Sequence, residues 1–223
     1  MYDFLTDDAG CILEAARNVF YGTEPVAIDR FEKVRFDSRH YPDEHFGFMV
    51  NQHWRDFLVS LYYADILSYP HRQDQVDFPR LCYLVNAFPQ GFTLWQATVQ
   101  DKTYPVGYCG WYYVEQNTFD YIVRMPFDRN CSITSRFFLP AQGQTPYLYL
   151  FNYSITPALN HSPYSHALMD DFREELAAID YRGLFCAAVS ADGVRIAQQF
   201  GMHKVGSLTS ADGCAGDTLY MYP

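Results

Sequence analysis

The sequence predicts an α+β protein, a mixed and largely antiparallel sheet flanked by helices, with an enlarged helical part at the N-terminus. Three observations carry this. Helical periodicity dominates up to residue 79, short apolar and aromatic runs separated by turn residues follow from residue 80, and helices alternate with strands after residue 156. The expected organisation is therefore an N-terminal helical part, 1–79, packed on a core at 80–223.

In the first part, Ile12, Ala15, Ala16, Val19 and Phe20 share one helical face, and Gly22 stops that helix. A longer helix is expected from about Asp43 to about Tyr69, where Trp54, Phe57, Leu58 and Leu61 recur at helical spacing before Pro70. The intervening Phe31 to Tyr41 is mixed in charge and matches neither period.

From residue 80, Leu81 to Phe88, Phe92 to Val99 and Pro105 to Val114 read as three strands. They are separated by Pro89-Gln-Gly91 and by the polar turn Gln100 to Thr103, as in an antiparallel meander. Residues 115–145 form a long excursion. Tyr147 to Ile155 is a strong strand closed by Thr156-Pro157. Then Leu168, Phe172, Leu176 and Ile179 line a helix whose other face holds Asp170, Asp171, Glu174 and Glu175. Ser162-Pro163 suits the start of that helix. Leu184 to Val189 is apolar enough for a strand buried on both faces. Asp192 is read as the cap of a short helix ended by Gly201, and His203 to Leu208 and Asp217 to Tyr222 as a closing hairpin.

Composition narrows the function. The 223 residues carry 16 Lys+Arg against 26 Asp+Glu, a net charge of −10, which argues against a grip on nucleic acid phosphates. No apolar run reaches the ~18 residues of a membrane span. The acidic start, Met-Tyr-Asp-Phe-Leu-Thr-Asp-Asp, is unlike a signal peptide, so a cytoplasmic protein without membrane attachment is expected. The six cysteines never form a Cys-x-x-Cys pair, and His40, His45, His53 and His71 match no compact ligand motif, so no metal is expected. Gly-x-Ser-x-Gly, Walker-type and Gly-x-Gly-x-x-Gly loops do not occur, which argues against hydrolase, P-loop and dinucleotide readings.

The order meander, strong strand, helix, strand, helix, hairpin resembles the GNAT (general N-acetyltransferase) superfamily. The segment Gly193-Val-Arg-Ile-Ala-Gln-Gln-Phe-Gly-Met-His-Lys-Val-Gly206 is similar to the S-x-R-v-a-e-k-l-G-M-x-x-v-G stretch of acetyltransferases that modify protein N-termini. The resemblance covers roughly residues 80–223. It implies a GNAT-like fold and a coenzyme A-dependent N-acyltransferase that moves acetyl from acetyl-CoA, or another acyl group from its acyl-CoA, to an amine by direct attack. The acceptor is then a small-molecule or protein amine, and the oligomeric state stays open.

The resemblance also places the co-substrate. Its arm is expected along Asn152, Ser154, Ile155 and Thr156. Its pyrophosphate is expected at Asn160, His161, Ser162, Tyr164, Ser165 and His166, around the helix start, where exposed N–H groups and the helix dipole suit an anion. Set against the family's Arg/Gln-x-x-Gly-x-Gly/Ala loop, Asn160 stands for the Arg or Gln, Pro163 for the first Gly and Ser165 for the second. The usual catalytic Tyr position holds Ala197, the upstream Asn is Ser190, and the alternative Ser position is Gly193. Positional candidates for catalysis are Glu115, Tyr153 or Asn152 as general base, and Ser190, a Tyr of the strand Tyr147 to Ile155, or solvent as proton donor. These departures keep two further readings open: a catalytically degenerate GNAT-fold binding or regulatory domain, and an acyltransferase taking its acyl group from an acyl carrier protein. The aromatic excursion motivates the last, since its rings can build an acyl groove.

Overall fold

The computed structural model describes residues 8–22, 26–36, 52–69, 71–117, 119–120, 145–209 and 215–222. Among them run five helices and a seven-stranded sheet: α1 (Asp8–Phe20), β1 (Arg30–Arg35), α2 (Gln52–Ser68), α3 (Phe78–Ala87), β2 (Phe92–Val99), β3 (Lys102–Val114), β4 (Tyr147–Ile155), α4 (Pro163–Ala177), β5 (Gly183–Ala188), α5 (Ala191–Gln199), β6 (His203–Thr209) and β7 (Ala215–Tyr222). The strand order is β1-β2-β3-β4-β5-β7-β6, with β4 and β5 parallel. No described helix is long and apolar enough to cross a membrane.

The chain divides into two compact units, Met1–Cys109 with Ser154–Asp170, and Gly110–Tyr153 with Asp171–Pro223. In the first, Leu61, Ala64, Leu81, Leu84, Val85, Phe88 and Phe92 are buried. Each fully buried leucine or phenylalanine stabilises the fold by about 1.5–3 kcal/mol. The buried Asp65 of α2 accepts from the Tyr108 hydroxyl at 2.9 Å and from the Val76 amide at 2.7 Å, tying helix, loop and β3 together. In the second unit, aromatic rings pack against one another. Phe119 stacks on Tyr147 at 4.5 Å, Tyr149 meets Phe185 at 5.0 Å, and Trp111 Nε1 donates to Glu175 at 2.8 Å.

The structure corrects several expectations. Leu81 to Phe88 is not a strand. It lies in α3, where Phe78, Leu81, Cys82, Leu84 and Val85 are buried while Tyr83 and Asn86 face out. That spacing is helical, and Asp77 with Pro79 marks a helix start; a short apolar run without those cues fits either structure. The edge strand that pairs with β2 is instead β1, in the mixed-charge stretch that matched neither period. It is antiparallel to β2, with Phe31 opposite Ala97 and Val34 opposite Leu94. Its charged side chains suit a sheet edge, where they discourage pairing with other chains. The described part of α2 runs from Gln52 to Ser68; residues 43–51 lie outside the described residues. Ile12 is 43% exposed, so the buried face of α1 narrows to Ala16 and Phe20.

The hairpin between β2 and β3 turns on Gln100 and Asp101, with φ of 49° and 65°. Two successive positive φ values are what a type I′ turn demands, and its twist matches that of the strands it joins. The Gln100 amide donates to Asp29 at 2.8 Å, and Thr98 and Thr103 hydroxyls meet at 3.1 Å across the hairpin.

Candidate functional site

The two parallel strands of the sheet pair from Tyr147↔Gly183 to Leu150↔Cys186. There the ladder ends although neither strand does. β4 runs on to Ile155, while β5 runs to Ala188 and keeps pairing with β7 as far as Ala188↔Thr218. Parallel strands that stop pairing while both remain extended diverge. Beyond Leu150, β4 therefore continues outside that ladder.

On its other side the end of β4 is held tightly. The Thr156 amide donates to Val106 at 2.6 Å, and a side chain at Gly107 would collide with the Ser154 carbonyl oxygen. Asn152, Ser154, Ile155 and Thr156 are all buried. The hydroxyls of Ser154 and Thr156 are buried with no hydrogen-bond partner among the described residues, which leaves unused hydrogen-bonding capacity at the end of this strand.

The start of α4 is built differently. Ser162 caps it, with its hydroxyl 3.4 Å from the Ser165 amide, and Pro163 occupies the first helical position as its sequence suggests. The amides of Leu159, Asn160, Ser162 and His166 donate to backbone carbonyls at 2.9, 3.1, 3.2 and 3.3 Å. The Ser162 hydroxyl turns back to the Leu159 carbonyl at 2.6 Å, and that of Ser165 to the Ser162 carbonyl at 2.9 Å. His161 is exposed with φ of 61°, His166 is exposed, and the Tyr164 ring packs on Phe31 at 4.9 Å. This segment caps itself.

The catalytic candidates belong to the second unit and occupy different elements. Glu115 is exposed immediately after β3. The half-buried Tyr153 ring lies against Phe172 and Phe200, each 5.8 Å away. Ser190 is the cap of α5, its Oγ accepting from the Gly193 amide at 3.0 Å. This corrects the reading of Asp192 as cap: Ser190 has the extended backbone a cap requires, while Asp192 lies inside the helix and pairs with Arg195 at 3.2 Å. Gly201 ends α5 with φ of 74°, as read from the sequence.

Of the aromatics gathered at 104–153, Tyr104, Tyr108, Trp111, Tyr112, Tyr147 and Tyr149 are buried core residues. The acyl groove read into the excursion falls mainly on 121–144, outside the described residues. His40 and His45 are likewise outside them, and His53 and His71 are exposed. Cys82, Cys109 and Cys186 are buried thiols, and burial pushes those of Cys82 and Cys186 up to about 12. Such thiols are poor nucleophiles. The sequence reading missed Gly107, although a glycine inside a strand-like run is itself a signal of close backbone approach.

No family model matches the chain, and no curated protein matches it in sequence. Its structure is similar to that of the loading GNATL domain of CurA from Lyngbya majuscula, with a TM-score of 0.59 and 12% identity over 87% of this chain and 98% of that one. It is also similar to the GphF GNAT-like decarboxylase in complex with isobutyryl-CoA (TM-score 0.57, 10% identity, 86% and 98% covered). A third similarity is to the NatC complex bound to Gag peptide and CoA (TM-score 0.53, 7% identity, 87% and 98% covered). At these identities the likeness is one of fold. The chain has a GNAT-like fold.

Proposed function

We propose that this protein is an acyl-CoA-dependent N-acyltransferase, with acetyl as the simplest acyl group and an amine as acceptor. The observation that carries the reading is the ladder of β4 and β5 ending at Leu150↔Cys186 while both strands continue. An extended pantetheine arm carries two amides, and the place where two parallel strands part suits such an extended, amide-bearing chain. Two of the similar structures, GphF with isobutyryl-CoA and NatC with CoA, hold ligands of this class.

In this reading the acceptor amine attacks the thioester carbonyl. A carbon–nitrogen bond forms, the carbon–sulfur bond breaks, the amine's proton goes to a base and the departing thiolate takes a proton. Glu115 is the proposed base, since its exposure allows it to exchange protons with solvent. Ser190 and Tyr153 are the proposed donors to the thiolate. The engagement of Ser190 as a helix cap favours a second reading, a GNAT-fold binding domain without turnover.

Thermal unfolding with and without acetyl-CoA, followed by mass analysis of an amine panel, tests both. A ligand at a hundred times its Kd adds about 2.7 kcal/mol, or roughly 5–10 °C for a chain of this size. A shift with acetylated product supports the enzyme. A shift without product supports the binding domain, and no shift overturns both.

A further inference from the structure

We propose that the cavity between α4 and α5 is a binding site for a small carboxylate with an apolar or aromatic body. The cavity has a volume of about 210 Å³, and every residue that lines it belongs to the second unit. None of Glu115, Tyr153 and Ser190 lines it, so the site stands apart from acyl transfer and does not rest on that reading. A cavity of about 150 Å³ already takes a benzene ring, so this one has room for a single ring with a short polar head.

Its floor is apolar. Leu176 of α4 and Leu184 of β5, 3% and 2% exposed, lie at the bottom, and Phe200 forms one wall. The Phe200 ring is held edge-on against Phe172 at 5.6 Å and against Tyr153 at 5.8 Å. That wall is in place before any ligand arrives, which lowers the ordering cost of binding.

The polar groups around this floor share one sign. Arg173 brings a guanidinium whose Nη2 donates to the Gln199 carbonyl at 2.9 Å and whose Cζ lies 5.8 Å from the centre of the Phe200 ring. These contacts fix the cation at the cavity. Tyr181 and Tyr222 add two phenol hydroxyls. Burial, and after it the neighbouring Tyr222 phenol, pushes the Tyr181 hydroxyl up, so it stays a neutral donor. No carboxylate lines the cavity; Glu174 and Asp180, next to it in sequence, are exposed and outside the lining. The chain as a whole is acidic, at −10, but charges beyond about 8 Å are largely screened at physiological salt, and the adjacent guanidinium decides. A guanidinium matches a carboxylate two N–H groups to two oxygens. The apolar floor gives a bare inorganic anion nothing to bury, and the cation disfavours an amine.

Calorimetric titration of the full chain with phenylacetate, phenylacetamide and phenethylamine tests this. The expected Kd for phenylacetate is about 0.1–1 mM, with the neutral amide at least about fivefold weaker and no binding of the amine. Arg173→Gln keeps a donor for the Gln199 carbonyl but removes the charge. It should weaken phenylacetate about three- to tenfold and leave phenylacetamide unchanged. Ala177→Phe, at an exposed position of the lining, should fill the mouth and abolish binding of phenylacetate. No heat with phenylacetate at about 10 mM overturns the inference. So does equal binding of acid and amide, equal affinity in Arg173→Gln, or binding that persists in Ala177→Phe.

Discussion

A β-carbon on Gly107 would lie 2.4 Å from the carbonyl oxygen of Ser154 and 2.9 Å from the α-carbon of Ile155. Both atoms are backbone, so they can yield only by moving β4 itself. Gly107→Ala should therefore cost about 1–3 kcal/mol in urea unfolding, in the manner of an overpacked core, and weaken pantetheine binding by displacing the strand's end. Gly206 of β6 has nothing within 4 Å of its Cβ position, and Gly206→Ala should stay within about 0.5 kcal/mol of wild type. Equal losses at the two sites would disprove the close approach.

Tyr108→Phe removes the 2.9 Å hydrogen bond to Asp65 and leaves a buried carboxyl oxygen with one donor fewer. The expected loss is about 1–3 kcal/mol, read as a lower denaturant midpoint at unchanged slope. A loss below about 0.3 kcal/mol would mean that the pair contributes little to holding α2 on β3.

Ser190 separates two roles by substitution. Ser190→Ala should cost about 1 kcal/mol of stability, because the Gly193 amide loses its cap. Ser190→Asp keeps the capping oxygen and should recover most of that stability. If Ser190 also protonates the leaving thiolate, Ser190→Asp still loses kcat; kcat that recovers together with stability assigns Ser190 to the cap alone.

The buried Cys186 thiol gives a pH dependence with a definite sign. Its folded value of about 12 lies above the ordinary 9.0, so its contribution is fully present below pH 9 and is lost as pH rises from 9 towards 12. The slope is at most about 1.4 kcal/mol per pH unit. Urea midpoints measured above pH 9 should fall more steeply for wild type than for Cys186→Ala. Alkylation at pH 8 should label the exposed Cys11 promptly and Cys186 only as the protein unfolds.

The β2–β3 turn offers a gain. Gln100 and Asp101 both hold positive φ, which asparagine and glycine adopt at lower cost. The double change Gln100→Asn with Asp101→Gly should raise the unfolding free energy by about 0.5–1 kcal/mol, provided the backbone amide at position 100 keeps its bond to Asp29. A drop in stability would show that the native side chains contribute more than the backbone strain costs.

Elements with a strong period or a long apolar run were legible from residue types alone. β4, α4 and β5 lie where their patterns place them, and Ser162-Pro163 and Gly201 bound their helices as expected. α3 and β1 were not legible. Leu81 to Phe88 is apolar enough for either structure, and β1 is an edge strand of mixed charge with no buried residue and no alternation to read. α3 needed the neighbours that bury one of its faces, and β1 needed its pairing with β2.

Residue patterns alone were enough for the fold class and for the order of elements after β3, because hydrophobic periodicity and turn residues are local properties. They also placed Pro163 at a helix start, which already removes one N–H from any anion site there. Three features came from the folded chain instead: where the β4–β5 ladder ends, why Gly107 must be glycine, and that the amides before α4 turn to their own segment. These depend on which backbone groups meet in space, and no local pattern of residues records that.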